Sequence, residues 1–63
     1  MTMQMHIEIR QHPVRYFEVH VVGAGQYTMK MYRAATIEDA RMCAERQAAA
    51  QGNCQIIDRT GLR

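Results

Sequence analysis

Three side chains, His6, Glu18 and Lys30, form the group in this sequence that is best suited to chemistry. A carboxylate between a histidine and a lysine could serve in proton transfer or recognise a polar ligand. The same group could instead be a cross-strand charge pairing, which stabilises a solvated sheet by roughly 0.2–1 kcal/mol per pair. Both interpretations require that the three residues stand in one row on one face of a β-sheet.

Two tyrosines, Tyr16 and Tyr32, are expected beside Arg10 and Lys30 on the same face. Aromatic pairs on neighbouring strands are ordinary stabilisers of a sheet. Tyrosine and arginine are also enriched at protein interfaces. A third interpretation is a platform on which the bases of single-stranded nucleic acid stack. The sequence leaves all three interpretations open.

Metal binding and nucleophilic catalysis are not expected. His6 and His20 fall on one face but in different rows, and two histidines without a third ligand do not complete a zinc site. Neither Cys43 nor Cys54 has a histidine placed near it by spacing, and a reactive thiol needs such a neighbour to lower its pKa. We therefore expect no catalytic residue, no metal, no cofactor and no enzymatic activity.

The size of the chain predicts a single domain, residues 1–63, with a small core. Such a core rarely contributes more than about 3–5 kcal/mol of stability, which favours self-association into a homodimer. The formal net charge is +2, from 8 lysines and arginines against 6 acidic residues. Dedicated nucleic-acid binders usually carry a denser basic stripe, so nucleic acid is possible as a partner but not favoured.

The compartment is predicted from three further observations. No segment approaches the ~20 apolar residues that a transmembrane helix needs, so no membrane partner is expected. Residues 1–6 alternate in polarity and lack the basic and apolar regions of a secretory signal. Cys43 and Cys54 are expected to be free, partly buried thiols, as in a reducing compartment. We therefore expect a cytoplasmic protein.

The apolar periodicity predicts an α+β domain in the order βββαβ. The predicted bounds are residues 3–10, 14–22 and 27–33 for the first three strands, 36–51 for the helix and 54–59 for the last strand. The first three strands form an antiparallel meander with the helix packed on one face. A right-handed crossover then places the short fourth strand parallel to the first, in the order 3-2-1-4.

The helix is predicted to begin at Thr36, whose hydroxyl can cap the first turn near Asp39. Gly52 is well placed to end it. A stripe of alanines lets the helix axis lie close to the sheet, so that the large side chains come from the strands. The stripe consists of Ile37, Ala40, Ala44 and Ala48, with Cys43 at its flank.

The register of the meander is predicted from the requirement that one apolar face be buried. In the first hairpin, Arg10 is paired with Val14, so that Ile7 faces Phe17. The second hairpin is closed by a three-residue loop, residues 23–25, with Gly25 in the left-handed conformation. That closure turns the apolar residues of the third strand toward the helix, namely Tyr27, Met29 and Met31.

The opposite face of the sheet is expected to be open to solvent or to a partner, because one helix covers one face only. The predicted rows on it are Gln4, His20 and Thr28; then His6, Glu18 and Lys30; then Glu8, Tyr16 and Tyr32. The candidate binding residues on this face are His6, Arg10, Tyr16, Glu18, His20, Lys30 and Tyr32.

The segment Ala35-Thr36-Ile37-Glu38-Asp39-Ala40, at the start of a helix that follows a meander, resembles HicB-type antitoxin domains. The same layout is similar to that of several small phage-encoded proteins, anti-CRISPR inhibitors among them. The motif covers about a tenth of the chain. The resemblance implies a related fold, and it transfers no functional residue because fold alone does not give function.

Our first functional hypothesis is a small non-enzymatic protein-interaction module, a regulator or inhibitor of phage or mobile-element origin that acts as a homodimer. Six methionines suit adaptable contact surfaces. The alternative is a nucleic-acid-binding module that uses the open sheet face.

Overall fold

The computed structural model, which describes residues 5–13 and 15–62, contains one four-stranded sheet with one helix packed on it. The elements are β1 (His6–His12), β2 (Tyr16–Val22), β3 (Thr28–Ala34), α1 (Ile37–Ala50) and β4 (Gln55–Asp58). The predicted α+β arrangement, βββαβ, is confirmed. The predicted strand positions Met3, Gln4 and Val14 lie outside the described residues.

The core lies between α1 and one face of β1 and β2. Apolar and polar residues alternate along both strands, so every second side chain points toward the helix. The largest fully buried side chains, each at most 2% exposed, are Ile7, Ile9, Val19 and Val21. A core with four such side chains is small, and it buries little apolar area.

The predicted start and buried stripe of α1 are confirmed. The Thr36 hydroxyl accepts a hydrogen bond of 3.1 Å from the backbone N–H of Asp39. Ala40, Ala44 and Ala48 are the buried residues of the helix. Because methyl groups fill little space, the helix axis can approach the sheet while the isoleucines and valines of β1 and β2 fill the core.

The end of α1 is a Schellman motif centred on Gly52. The backbone N–H of Asn53 donates to the Ala48 carbonyl at 2.7 Å, and that of Gly52 donates to the Ala49 carbonyl at 3.3 Å. Gly52 has a φ of +83°, in the left-handed region that glycine occupies at little cost. The chain can therefore reverse toward β4.

The fourth strand lies parallel to β1, as predicted, and the strand order is β3-β2-β1-β4. Ile7 is level with Ile56, and Ile9 with Asp58. The backbone N–H of Arg59 donates to the Ile9 carbonyl at 2.9 Å and extends the ladder by one contact.

The predicted register of the first hairpin is wrong. Ile7 pairs with Val21 rather than with Phe17, because β1 continues through His12 and the turn falls later than predicted. Arg15, at the end of that turn, has a φ of +79°. The partner of Ile7 moves by an even number of residues, so the apolar side chains of both strands still face the helix.

The second hairpin closes one residue later than predicted. The Gly23 N–H donates to the Tyr27 carbonyl, and the Gln26 N–H donates to the Gly23 carbonyl, each at 2.9 Å. The left-handed residue at the end of the loop is Gln26, with a φ of +63°, and not Gly25. The loop therefore has the predicted length of three residues but occupies residues 24–26.

A β-bulge just beyond this loop reverses the faces of β3. Val22 pairs with Thr28 while Val21 pairs with Lys30, so Met29 is an extra residue in the ladder. Tyr32 and Ala34 consequently pack against the core. The predicted burial of the third strand's apolar residues is wrong, since Tyr27, Met29 and Met31 are 62%, 51% and 39% exposed.

Within the described part of the chain, no helix is long and apolar enough to cross a membrane.

Candidate functional site

The open face of the sheet holds five of the seven residues predicted from the sequence. These are His6 and Arg10 on β1, and Tyr16, Glu18 and His20 on β2. The other two, Lys30 and Tyr32, lie on the helix side of β3, because their cross-strand partners are core valines. The predicted opposition of Tyr16 and Tyr32 on one face therefore does not form.

The predicted row of His6, Glu18 and Lys30 does not form either. Glu18 stands between Arg10 on β1 and Arg33 on β3. The cross-strand neighbours of Glu18 are thus two arginines rather than a histidine and a lysine, and its carboxylate contacts His20 on its own strand.

Glu8 is the centre of the polar cluster on the open face, although its side chain is only 8% exposed. Its Oε2 lies 2.7 Å from His6 Nε2. Its Oε1 accepts from Arg59 Nε at 2.8 Å and from Arg10 Nε at 3.3 Å. Charge-assisted hydrogen bonds of this kind satisfy the buried carboxylate, which would otherwise be costly.

These contacts lower the pKa of Glu8 to about 2, from an ordinary value of 4.5. The hydrogen bond to His6 is the largest cause, and Arg59 and Arg10 lower the pKa further, against the opposing effect of burial. The carboxylate is therefore charged across the physiological range and holds its partners in place. A group that is this well paired is poorly suited to exchange a proton near neutral pH.

His20 forms the second polar contact of the open face. Its Nε2 lies 3.1 Å from Glu18 Oε1, and its Nδ1 lies 2.9 Å from Thr28 Oγ1. Because a carboxylate only accepts, Nε2 carries the proton, and in the neutral ring Nδ1 accepts from the Thr28 hydroxyl. Through these two contacts His20 links β2 to the first residue of β3.

Tyr16 lies between two other side chains at one end of this face. Its ring stacks on His12 with centroids 4.2 Å apart and planes inclined by 11°. The guanidinium carbon of Arg33 lies 5.0 Å from the Tyr16 ring centroid. Since His12 is on β1 and Arg33 is on β3, the two partners approach Tyr16 from opposite sides. Both faces of the ring are therefore in use within the chain.

Three residues of the open face were missed by the sequence reasoning, namely Glu8 as a cluster centre, Arg33 and Arg59. Arg59 could have been found from the parallel placement of the last strand, which brings it beside Arg10. Arg33 could not, because its face depends on the bulge at Met29. Together the open face carries three arginines and two glutamates.

The outer edge of β3 is a different kind of surface. β3 is one of the two terminal strands of the sheet, and its outer side has no strand partner among residues 5–13 and 15–62. The large exposed apolar side chains Tyr27, Met29 and Met31 lie along or beside it. Met29 also covers Gly23, where an added Cβ would come within 2.8 Å of the Met29 sulfur. We call Tyr27 to Ala34, with its unpaired backbone edge, the β3 edge.

A shallow groove of about 230 Å³ lies between α1 and β4, lined by Ile9, Arg41, Glu45, Ile56 and Asp58. Arg41 spans it, with Nη2 placed 3.4 Å from Asp58 Oδ2 and 2.8 Å from the Leu62 carbonyl. These contacts of Arg41 tie β4 and the C-terminal segment to the helix.

The two cysteines are free thiols and partly buried, as predicted. Burial raises the pKa of Cys43 against the opposing charge of Arg46, so the thiol stays protonated and weakly nucleophilic. Among the residues that the structure describes, no group of three or more histidine, cysteine or acidic side chains is arranged to hold a metal ion.

Comparison with known proteins assigns no family. No family model matches the chain, and no curated protein or solved structure is significantly similar to it. The resemblance to HicB-type antitoxin domains receives no support from these comparisons.

Proposed function

We propose that this chain is a non-enzymatic protein-interaction module whose contact surface is the β3 edge. The observation that carries the proposal is the exposure of Met29 and Met31 on a terminal strand and of Tyr27 directly before it. Small proteins rarely expose neighbouring large apolar side chains without a use for them, and methionine adapts to partners of different shape.

The backbone of β3 supports the same proposal. A terminal strand presents N–H and C=O groups that can pair with an extended segment of another chain. Soluble proteins usually protect such edges with proline, inward charges or a covering loop. β3 contains no proline, and of its two charges Lys30 lies on the helix side and Arg33 on the open face. An added strand would gain main-chain hydrogen bonds, while the methionines would supply apolar contact.

The open face contributes a polar border to this surface rather than a reaction centre. Glu8 and Glu18 are already paired with cations and histidines of the chain. A rim of satisfied polar groups around an apolar strip is typical of protein interfaces. The nucleic-acid alternative is less well supported, because Tyr32 faces the helix and both faces of Tyr16 are in use.

A module of this kind acts by occupying a surface of its partner, as a regulator or inhibitor does. Two partly buried free thiols support the cytoplasm as its compartment.

The experiment is a peptide selection followed by mapping. Random peptides that bind the immobilised protein are selected, and the best binders are titrated into isotope-labelled protein while backbone amide shifts are recorded. We expect extended peptides with alternating apolar residues, and shift changes concentrated at residues 27–34. Met31→Lys should abolish binding by placing a third cation on the edge, beside Lys30 and Arg33.

The matched control is Met42→Lys. Met42 is also an exposed methionine, 55% accessible, but it lies on α1 away from the sheet edge. Binding should be unchanged in this variant. Peptides whose shift changes avoid β3, or that bind Met31→Lys as well as the unsubstituted protein, would overturn the proposal.

A further inference from the structure

We infer that β3 has a second register on β2, in which the bulge at Met29 is absent and Met31 faces the helix. We call the pairing seen in the structure the bulged register and the alternative the continuous register. The inference rests on the proposed function, because it names the regulation of the same edge. Its grounds are the hairpin before the bulge, the residues that each register turns inward, and the connection after β3.

The hairpin between β2 and β3 leads directly into the continuous register. Its last regular pair is Val22 with Thr28. Antiparallel partners advance by one residue on each strand, so an uninterrupted ladder would place Met29 opposite Val21. Instead Val21 pairs with Lys30, and every later pair is displaced by one residue. The continuous register therefore needs no change in the hairpin loop.

The two registers turn similar sets of side chains toward the helix. Each places one cation and two uncharged side chains opposite the same three residues of β2, which are Val21, Val19 and Phe17. In the bulged register the three are Lys30, Tyr32 and Ala34. In the continuous register they would be Met29, Met31 and Arg33. Neither set is the more apolar by its number of charges.

The contributions to the free energy of the exchange oppose one another. Met29 and Met31 are 51% and 39% exposed, so placing them opposite the core valines would bury apolar surface. Against this, Tyr32 would leave the core, and Arg33 would leave the ring of Tyr16, whose centroid lies 5.0 Å from its guanidinium carbon. We therefore expect the continuous register to be a minor state with a population of about 0.1–10%.

β3 can change register without disturbing the rest of the sheet. It is a terminal strand, and among the described residues its only strand partner is β2. The extra residue would pass from the bulge into the connection to α1, where Ala35 is exposed and lies outside the helix and strands. That connection would gain one residue and would not be stretched.

The register determines whether the β3 edge can bind a partner. In the bulged register Met31 is accessible, whereas in the continuous register it faces the helix and Lys30 takes its place beside His20. A partner that contacts Met31 therefore selects the bulged register. A ligand or condition that favours the continuous register would withdraw the contact surface.

The experiment is disulfide trapping in the full chain. His20 is directly opposite Met31 in the bulged register and would be opposite Lys30 in the continuous register. Opposed Cα atoms in antiparallel strands are ~4.5–5.5 Å apart, a distance that a disulfide spans. His20→Cys with Met31→Cys reports the bulged register, and His20→Cys with Lys30→Cys reports the continuous register. The second pair cannot close in the bulged register, because Lys30 then lies on the helix side.

Both variants are treated with oxidised glutathione at low protein concentration. Peptide mapping then locates the disulfide, because Cys43 and Cys54 are also present as free thiols. We expect both pairs to close within one chain, the second about 10- to 1000-fold more slowly, in proportion to the population of the minor register. A second pair that never closes overturns the inference.

Met31→Lys distinguishes a change of register from unfolding. In the bulged register the introduced lysine stands on the open face, whereas in the continuous register it would face Val19 in the core. Burying an unpaired cation is costly. Met31→Lys should therefore slow the closure of the His20→Cys, Lys30→Cys pair at least tenfold, and Met42→Lys should leave the rate unchanged. A rate that Met31→Lys does not change would show closure through unfolded molecules and would overturn the inference.

A peptide selected for the β3 edge tests the regulatory role. Bound peptide should slow the closure of the second pair, because it holds the bulged register, and an unchanged rate overturns that role. Failure of this inference is separable from failure of the proposed function. A protein whose β3 amides shift on peptide binding, but whose second pair never closes, loses the second register and keeps the contact surface. A protein whose second pair closes, but whose β3 amides respond to no selected peptide, loses the proposed function instead.

Discussion

Arg59 donates a hydrogen bond of 2.8 Å from its Nε to Glu8 Oε1, joining two residues that are 51 positions apart in the chain. The contact forms because β4 lies parallel to β1 and carries Arg59 past the end of the ladder to the open face. Glu8 therefore fixes the last strand, which is only four residues long, from the side opposite the helix.

Removal of the Glu8 carboxylate should destabilise the fold. Glu8→Ala leaves His6, Arg10 and Arg59 close together without their shared acceptor. We expect the free energy of unfolding to fall by about 2–3 kcal/mol, the usual cost of breaking a buried, charge-assisted network. Urea denaturation followed by circular dichroism measures it.

Glu45→Ala is the control for that loss, because Glu45 is an exposed helix residue. Its effect should stay within about 0.5 kcal/mol, as for most surface substitutions. Equal losses in the two variants would mean that the Glu8 cluster contributes no stability of its own.

Stability should fall in acid because of the same carboxylate. The pKa of Glu8 is about 2 in the folded protein, against an ordinary value of 4.5. Its contribution is complete above pH 4.5 and is lost as the pH falls toward 2. The sign follows from the folded state holding the proton more weakly than the unfolded state does, and the loss can reach about 3 kcal/mol.

Denaturation at a series of pH values through that window tests the assignment. Glu8→Gln should show a shallower decline than the unsubstituted protein, since its side chain does not titrate. Asp58, whose pKa is lowered chiefly by hydrogen bonds from Thr60, contributes equally to both proteins. Parallel curves for the two proteins would contradict the role of Glu8.

Enlarging the alanine stripe of α1 should also destabilise the fold. Ala44 is fully buried against the sheet. Ala44→Leu forces the helix away from β1 and β2, and overpacking of this kind costs about 1–3 kcal/mol. Ala49→Leu, five residues on and exposed, should be near neutral in the same thermal denaturation. A neutral Ala44→Leu would mean that the helix and sheet are loosely packed.

Gly52, at the left-handed end of α1, is a position where backbone conformation alone should set the effect of a substitution. A Cβ at Gly52 would meet nothing within 4 Å, so only its φ of +83° opposes substitution. Gly52→Ala should therefore cost about 1–2 kcal/mol. Gly52→Asn should cost less, because asparagine tolerates that conformation better. Identical melting temperatures for both variants would show that the helix end relaxes into another turn.

The order of elements and the buried faces of β1, β2 and α1 were predictable because each depends on a repeat within one segment. Ile7 and Ile9 alternate with polar residues, and Ala40 and Ala44 recur at the helical spacing. A register error of an even number of residues leaves such faces unchanged. The buried residues of β1 and β2 were therefore predicted correctly although the partner of Ile7 was wrong.

The face of β3 was not predictable in the same way. Met29 and Met31 are apolar but are tolerated at the surface, and Tyr32 has both an apolar ring and a polar hydroxyl, so the apolar pattern alone favoured the wrong face. The left-handed conformation of Gln26 and the bulge at Met29 determine which residues of β3 face the helix. Neither feature can be predicted from the type of residue at those positions. The two site residues that fell on the other side, Lys30 and Tyr32, both lie beyond this bulge.

Because of the bulge at Met29, the set of β3 side chains that is exposed depends on the number of residues at the start of the strand rather than on their types. Because side chains alternate with a period of two, deleting the one extra residue would exchange the inner and outer sets of β3 in a single step. Such a change needs no substitution at any contact position. A one-codon deletion or insertion at this site is therefore a route by which a protein of this architecture could acquire a new binding specificity while β1, β2 and α1 keep their sequence.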